Sequence, residues 1–200
     1  MATDAATLDP DPLVQFDAWL AEAVAARIAL PDAFALATAD GMGHPSVRMV
    51  LLRGHGADGY DFYTNRASRK GRDLLVNNHA AALFHWATLD RQLRLSGVVE
   101  PLSDEASAAY FTTRPRGSQL AAWASEQGEP IESREALEAR VAEIGKRFGD
   151  GPLPLPPGWG GYRLVPDRYE FWVSRPDRLH DRIEYIREES GGWARRRLQP

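Results

Sequence analysis

Apolar positions recur at helical spacing directly after Asp11-Pro12. Leu13, Phe16, Leu20, Val24 and Ile28 share one side of a predicted helix that Asp11 caps and Pro12 starts. The texture then changes. From Ala33 to Asn65 short apolar or alternating runs are cut by Asp-Gly, Gly-x-Gly and Ala-Asp-Gly signals, which predicts three antiparallel strands. Residues 68–77 read as a short helix capped by Ser68, and "AALFHWATLDRQLRLSGVVEPLS" as two further strands around a Leu-Asp turn, with Gln92, Arg94 and Ser96 alternating against Leu93, Leu95 and Gly97.

Ser103 with Asp104 and Glu105 opens a helix by cap and dipole logic, and Pro115 stops it before the helical piece "GSQLAAWAS". Leu137, Val141, Ile144 and Phe148 mark one more helix after Ser133, ended by the Pro/Gly connection "GDGPLPLPPGWGG". "YRLVPDRYEFWVSR" and "IEYIREESGGWARRRL" close the chain as strands, the last two joined across Glu-Ser-Gly-Gly. Six to eight antiparallel strands with helices between them predict an α+β fold, curled into a barrel because open edges invite aggregation.

The 200 residues suit one domain over 1–200, with 1–10 expected as a flexible N-terminal segment. A formal net charge of −4 gives the whole chain no attraction for nucleic acid or anionic membrane, so any anion site must be a local cluster. No cysteine is present, which removes disulfides, thiolate metal sites and Cys nucleophiles. Without an apolar leader or a spanning run, a cytoplasmic protein is expected.

Several stretches carry candidate chemistry, each beside a plainer reading. In "RMVLLR" Arg48 and Val50 share a strand face, either as a solubilising edge charge or as an arginine aimed at a partner. Arg69 and Lys70 stand in the first turn after Ser68, the wrong helix end for cations. Free N–H groups and two cations beside Tyr63 and Thr64 make either a phosphate cradle or a solvated basic face. Gln92 has an amide suited to a heteroaromatic edge, or to a cross-strand pair. Tyr110 and Arg114 lie four apart with Ser118 following, a second possible phosphate grip or an ordinary helix C-terminus. Arg178, His180 and Arg182 alternate along a segment read as extended, so that all three face one space. His180 lacks metal-ligand spacing, so no metal site is expected.

Taken in order, "RMVLLR", "FYTNRASRKGRDL", "LDRQLRLSG", "YFTTRPRGSQLAAWAS", "PPGWGGYRL", "EFW" and "RLHDR" resemble the pyridoxamine 5′-phosphate oxidase family over nearly the whole chain. The resemblance implies a homodimeric split β-barrel with FMN at the subunit interface. It also implies oxidation of pyridoxamine or pyridoxine 5′-phosphate to pyridoxal 5′-phosphate by O2, with release of H2O2. By the family pattern Arg48, Met49, Val50, Leu51, Tyr63, Thr64, Arg69, Lys70, Gln92, Gln127, Trp172 and Arg182 bind FMN. Arg53, Tyr110, Arg114 and Ser118 grip the substrate phosphate, and Arg178 and His180 sit at the pyridine ring as the catalytic pair. The chain departs from the pattern at Arg53, usually lysine, and at Gly128, usually serine, and "MATDAATLDP" does not match the family's basic lid segment. A phenazine-type flavin oxidase and a non-catalytic FMN or pyridoxal phosphate carrier are the alternative readings.

Overall fold

Nine antiparallel strands form one sheet among the described residues, 8–200, of the computed structural model. They are β1 (Ala33–Ala39), β2 (Pro45–Leu51), β3 (Gly54–Gly56), β4 (Gly59–Asn65), β5 (His79–Trp86), β6 (Arg91–Pro101), β7 (Trp159–Val173), β8 (Asp181–Arg187) and β9 (Trp193–Arg197). The strand beyond the expected eight is β3, three residues long and bounded by glycines, too short to display a period of two. Five helices accompany them: α1 (Pro12–Ala25), α2 (Arg69–Val76), α3 (Asp104–Thr113), α4 (Arg116–Ala124) and α5 (Arg134–Phe148).

The strand path runs β2-β1-β5-β6-β7-β4-β3. β2 and β4 lie at or near its two ends, yet the sheet curls until they approach without pairing, so the barrel is split along that seam. β7 makes the curl possible. Its first half pairs with β4 and its second half with β8, while β6 runs along both. The register shifts between Ser96 and Gly97, opposite Pro166, a bulge where proline costs no ladder bond. A Cβ on Gly97 would lie 2.0 Å from the Val165 carbonyl oxygen, so this crossing requires glycine.

Asp11 caps α1 by accepting from the Leu13 N–H. The buried face of α1 is Phe16, Trp19 and Ala23, rotated from the stripe expected from sequence, and Val24 is exposed. Phe16 and Trp19 pack against Phe84, Trp86 and Phe171 inside the barrel, each ring stabilising the fold by roughly 1.5–3 kcal/mol relative to exposure. A second apolar cluster lies outside it, where Phe111, Leu153 and Trp159 meet Tyr63, Tyr110, Leu120, Trp123 and Phe148. The expected stripe of α5 is half-buried against α4.

Residues 1–7 of the segment expected to be flexible lie outside the described residues. Leu8 is buried, its carbonyl accepts from Arg195 at 2.6 Å, and the Asp9 carbonyl accepts from the Tyr185 hydroxyl at 2.7 Å. No helix among the described residues is long and apolar enough to cross a membrane.

Candidate active site

The seam between β2 and β4 opens into a cleft of about 1090 Å³, walled by β2, the end of β4, the start of α2, and α3 and α4. Arg48, Arg53, Arg69, Lys70 and Arg114 all line it, and no aspartate or glutamate does. In a chain of net charge −4 this is a strong local concentration of positive charge. Met49, Val50, Leu51, Tyr63, Thr64, Tyr110, Ser118 and Gln127 line the same space.

Lys70 is the most constrained of the cations. Only 7% exposed, its ammonium donates to Thr64 Oγ1 at 3.0 Å, Ser68 Oγ at 3.1 Å and Gln127 Oε1 at 3.0 Å, all neutral oxygens. Burial, reinforced by the nearby charge of Arg48, pulls its pKa down to about 8. Ser68 occupies the N-cap position of α2, but its hydroxyl donates to the Asn65 carbonyl and accepts from Lys70, so it does not cap the helix as expected. The first-turn N–H groups of α2 therefore lack a side-chain cap beside two cations.

Arg48 points inward from β2 and donates to the Leu36 carbonyl, Thr38 Oγ1 and Ser46 Oγ. Arg114 stands at the C-terminal end of α3, its guanidinium 4.9 Å from the centre of the Trp159 ring. Its Nη1 is buried without a hydrogen-bond partner, and burial, with Arg53 adding to it, lowers its pKa. Tyr63 and Tyr110 stack with centroids 3.9 Å apart and continue onto Trp159. Arg53 pairs with Asp32 at 3.0 Å. Gly128 has φ +98, a conformation in which the serine of the family pattern would be strained.

Five of the expected residues stand apart from the cleft: Gln92, Trp172, Arg178, His180 and Arg182. Gln92, Trp172 and Arg182 form one cross-strand row on β6, β7 and β8. The His180 ring packs on Trp172 at 4.6 Å, and its Nδ1 accepts from the Arg175 N–H, which leaves the proton of the neutral ring on Nε2. Arg182 pairs with Glu170 at 2.8 Å. The extended segment expected at 178–182 is instead a 3-10 turn over Pro176–Arg178, with Asp177 and Arg178 at φ +58 and +61, before β8 begins at Asp181. Arg178 therefore does not alternate with His180 and Arg182 along a strand. Two successive residues at positive φ, Asp177 and Arg178, turn the chain here and break the extended run.

Sequence reasoning passed over Thr38, Ser46, Asp73 and Trp159. Thr38 and Ser46 meet Arg48 only through the β1–β2 register, in which Thr38 faces Ser46, and nothing local announces it. Trp159 stood in a stretch read as a connection. Its signal was the lone aromatic between Gly158 and Gly160.

A curled antiparallel sheet whose open seam holds a carboxylate-free, cation-lined cleft defines a split-barrel protein with a cleft suited to an anionic ligand. Residues 20–148 match the family described as pyridoxamine 5′-phosphate oxidase, and residues 159–200 match the pyridoxine 5′-phosphate oxidase C-terminal dimerisation region. The chain belongs to the pyridoxamine 5′-phosphate oxidase family. It is 54% identical over 197 residues to pyridoxine/pyridoxamine 5′-phosphate oxidase 1 of Ralstonia nicotianae, covering 98% of this chain and 92% of that protein. The pyridoxine/pyridoxamine 5′-phosphate oxidase of Burkholderia mallei is 53% identical over 199 residues, with the same coverage. PhzG from Burkholderia lata, solved with tetrahydrophenazine-1-carboxylic acid, superposes with a TM-score of 0.93 at 34% identity, covering 100% of this chain and 98% of that one. An FMN-binding protein of Nostoc punctiforme shares the fold, with a TM-score of 0.74 at 20% identity, covering 97% of this chain and 99% of that one.

The lowered pKa of Lys70 predicts that binding of an anion at its ammonium depends on pH. A phosphate in the cleft favours the ammonium and raises that pKa, so above about pH 8 binding takes up a proton. Affinity for a phosphorylated probe held by Lys70 is expected to fall by up to about tenfold per pH unit above that point. Fluorescence titrations with FMN from pH 7 to 9.5 check this, and a flat profile contradicts it.

Proposed function

We propose that this protein is an FMN-dependent oxidase that converts pyridoxamine or pyridoxine 5′-phosphate to pyridoxal 5′-phosphate. The amine reaction consumes O2 and water and releases NH3 and H2O2; the alcohol reaction consumes O2 and releases H2O2. One observation carries the reading: five cations and no carboxylate line a cleft of about 1090 Å³, roomy enough for two phosphorylated ring compounds side by side.

The residues fit both ligands. Lys70 is a buried ammonium facing only neutral oxygens, and Arg114 has an orphaned Nη1, so each lacks the anion that would complete it. Arg48, Arg69, Lys70, Thr64 and Gln127 hold the FMN phosphate and ribityl chain, with the β2 backbone from Met49 to Leu51 alongside. Arg53, Tyr110, Arg114 and Ser118 grip the substrate phosphate. Bound FMN would supply the two-electron acceptance and its return to the oxidised state by O2. The chain's own contribution is alignment, since two phosphate anchors fix two rings at contact distance and so reduce the entropy lost on reaction.

Gln92, Trp172, Arg178, His180 and Arg182 complete the site from the other protomer of a homodimer. They form a group separate from the cleft, and four of the five lie within the segment that matches the dimerisation region. Arg178 covers the pyridine ring, and His180 offers Nε2–H to the oxygen of the ring's hydroxyl substituent. The likeness to PhzG defines the rival reading, an oxidase acting on a carboxylic acid that carries no phosphate. The Arg53, Tyr110, Arg114 and Ser118 set favours the phosphorylated substrate.

Anaerobic addition of pyridoxamine 5′-phosphate to the FMN-loaded protein is expected to bleach the flavin absorbance, and air to restore it. A flavin that stays oxidised, or one bleached only by a dihydrophenazine acid, overturns the reading.

A further inference from the structure

Asp73 and Thr38 lie behind the cleft and are among the least exposed polar residues described, at 4% and 3%. Neither lines it. The Thr38 hydroxyl donates to Asp73 Oδ2 at 2.6 Å and, having spent its one proton there, accepts from Arg48 Nη1 at 2.7 Å. Arg48 Nη2 stands 3.8 Å from the same carboxylate oxygen. A buried carboxylate needs a charge partner and hydrogen bonds, and Asp73 has both in this one arrangement.

The relay joins three elements. Asp73 belongs to α2, whose first turn carries Arg69 and Lys70; Thr38 belongs to β1 and Arg48 to β2. With the Leu36 carbonyl and Ser46 Oγ also accepting from it, the guanidinium is held by four neighbours on the protein side. Its direction into the cleft is therefore set before any ligand arrives.

We infer that Asp73, acting through the Thr38 hydroxyl, is a positioning residue that holds Arg48 in register with Lys70 for the FMN phosphate. The inference rests on the proposed function for the identity of that ligand. Asp73 does not touch the ligand, and its charge acts only by way of Arg48.

The test is the dissociation constant of FMN, read by flavin fluorescence quenching on the full-length apoprotein. D73N, T38V, T38S, R48A and the R48A/D73N double variant are compared, with thermal melts as a check of folding. D73N and T38V are expected to lose about tenfold in FMN affinity, the lower end of what losing an orienting partner costs at metal sites. T38S keeps the hydroxyl and should retain wild-type affinity. In the R48A background D73N should cost nothing further, because the route through Arg48 is already gone. Additive losses in the double variant, or unchanged affinity in both D73N and T38V, overturn the inference. If D73N does not fold, the contrast of T38V with T38S decides, and equal affinity in those two overturns it. A wild-type protein that does not bind FMN at all refutes the proposed function instead.

Discussion

Replacing Lys70 with methionine is expected to strip the protein of FMN while leaving the fold intact. The ammonium is the only cation of the cleft that is almost fully buried, and three neutral oxygens aim it. Losing a charged hydrogen bond to phosphate costs roughly 1.5–3 kcal/mol, a ten- to hundredfold weaker complex. The stability effect has the opposite sign. Burial holds the Lys70 pKa at about 8 against an ordinary value of 10.5, so at pH 7 the ligand-free fold carries a charge its surroundings disfavour. Methionine fills similar volume without that charge, and the ligand-free variant should melt at or above the wild-type temperature. Equilibrium dialysis against FMN and a melting curve at pH 7 check the two halves. A variant that melts well below wild type would show that Lys70 serves the fold and not the ligand.

Two inactive variants are expected to rescue one another. In the proposed homodimer Arg114 acts from the cleft of one protomer, and Arg178 acts on the same substrate from the other. Arg114→Ala and Arg178→Ala should each lower turnover by about a hundredfold, the cost of removing one guanidinium from a bound anion or ring. When the two are mixed and allowed to exchange subunits, about half the dimers are hybrid. Each hybrid has one doubly damaged site and one intact site, so about a quarter of wild-type activity should return. Titrating one variant with the other and following peroxide formation measures it. A mixture that stays as inactive as its components would mean that the two arginines do not serve one shared site.

Much of the protein was legible from its residue pattern. Alternation in β6, where Leu93 and Leu95 face the core and Gln92 and Arg94 face away, follows from the period of two. The Ser103 and Ser133 caps, each accepting from the N–H three residues on, follow from local backbone needs. The basic group around Arg69 and Lys70 was visible as cations at the wrong helix end. These are local facts, because side-chain period and cap chemistry depend on a few neighbouring residues.

What the chain could not display locally is convergence. Arg48, Lys70 and Arg114 share one cleft only because β7 divides its pairing between β4 and β8, which curls the sheet and brings β2 beside β4. Thr38 reaches Arg48 through strand register, and Asp73 reaches both through the docking of α2 on β1. The extended reading of 178–182 failed because Asp177 and Arg178 turn the chain at positive φ, which two-residue periodicity cannot describe. The sequence by itself determined which residues carry charge, caps and strand faces. Only the tertiary structure decided which of those charges lose their water and meet, because burial and register are properties of chain segments far apart in sequence.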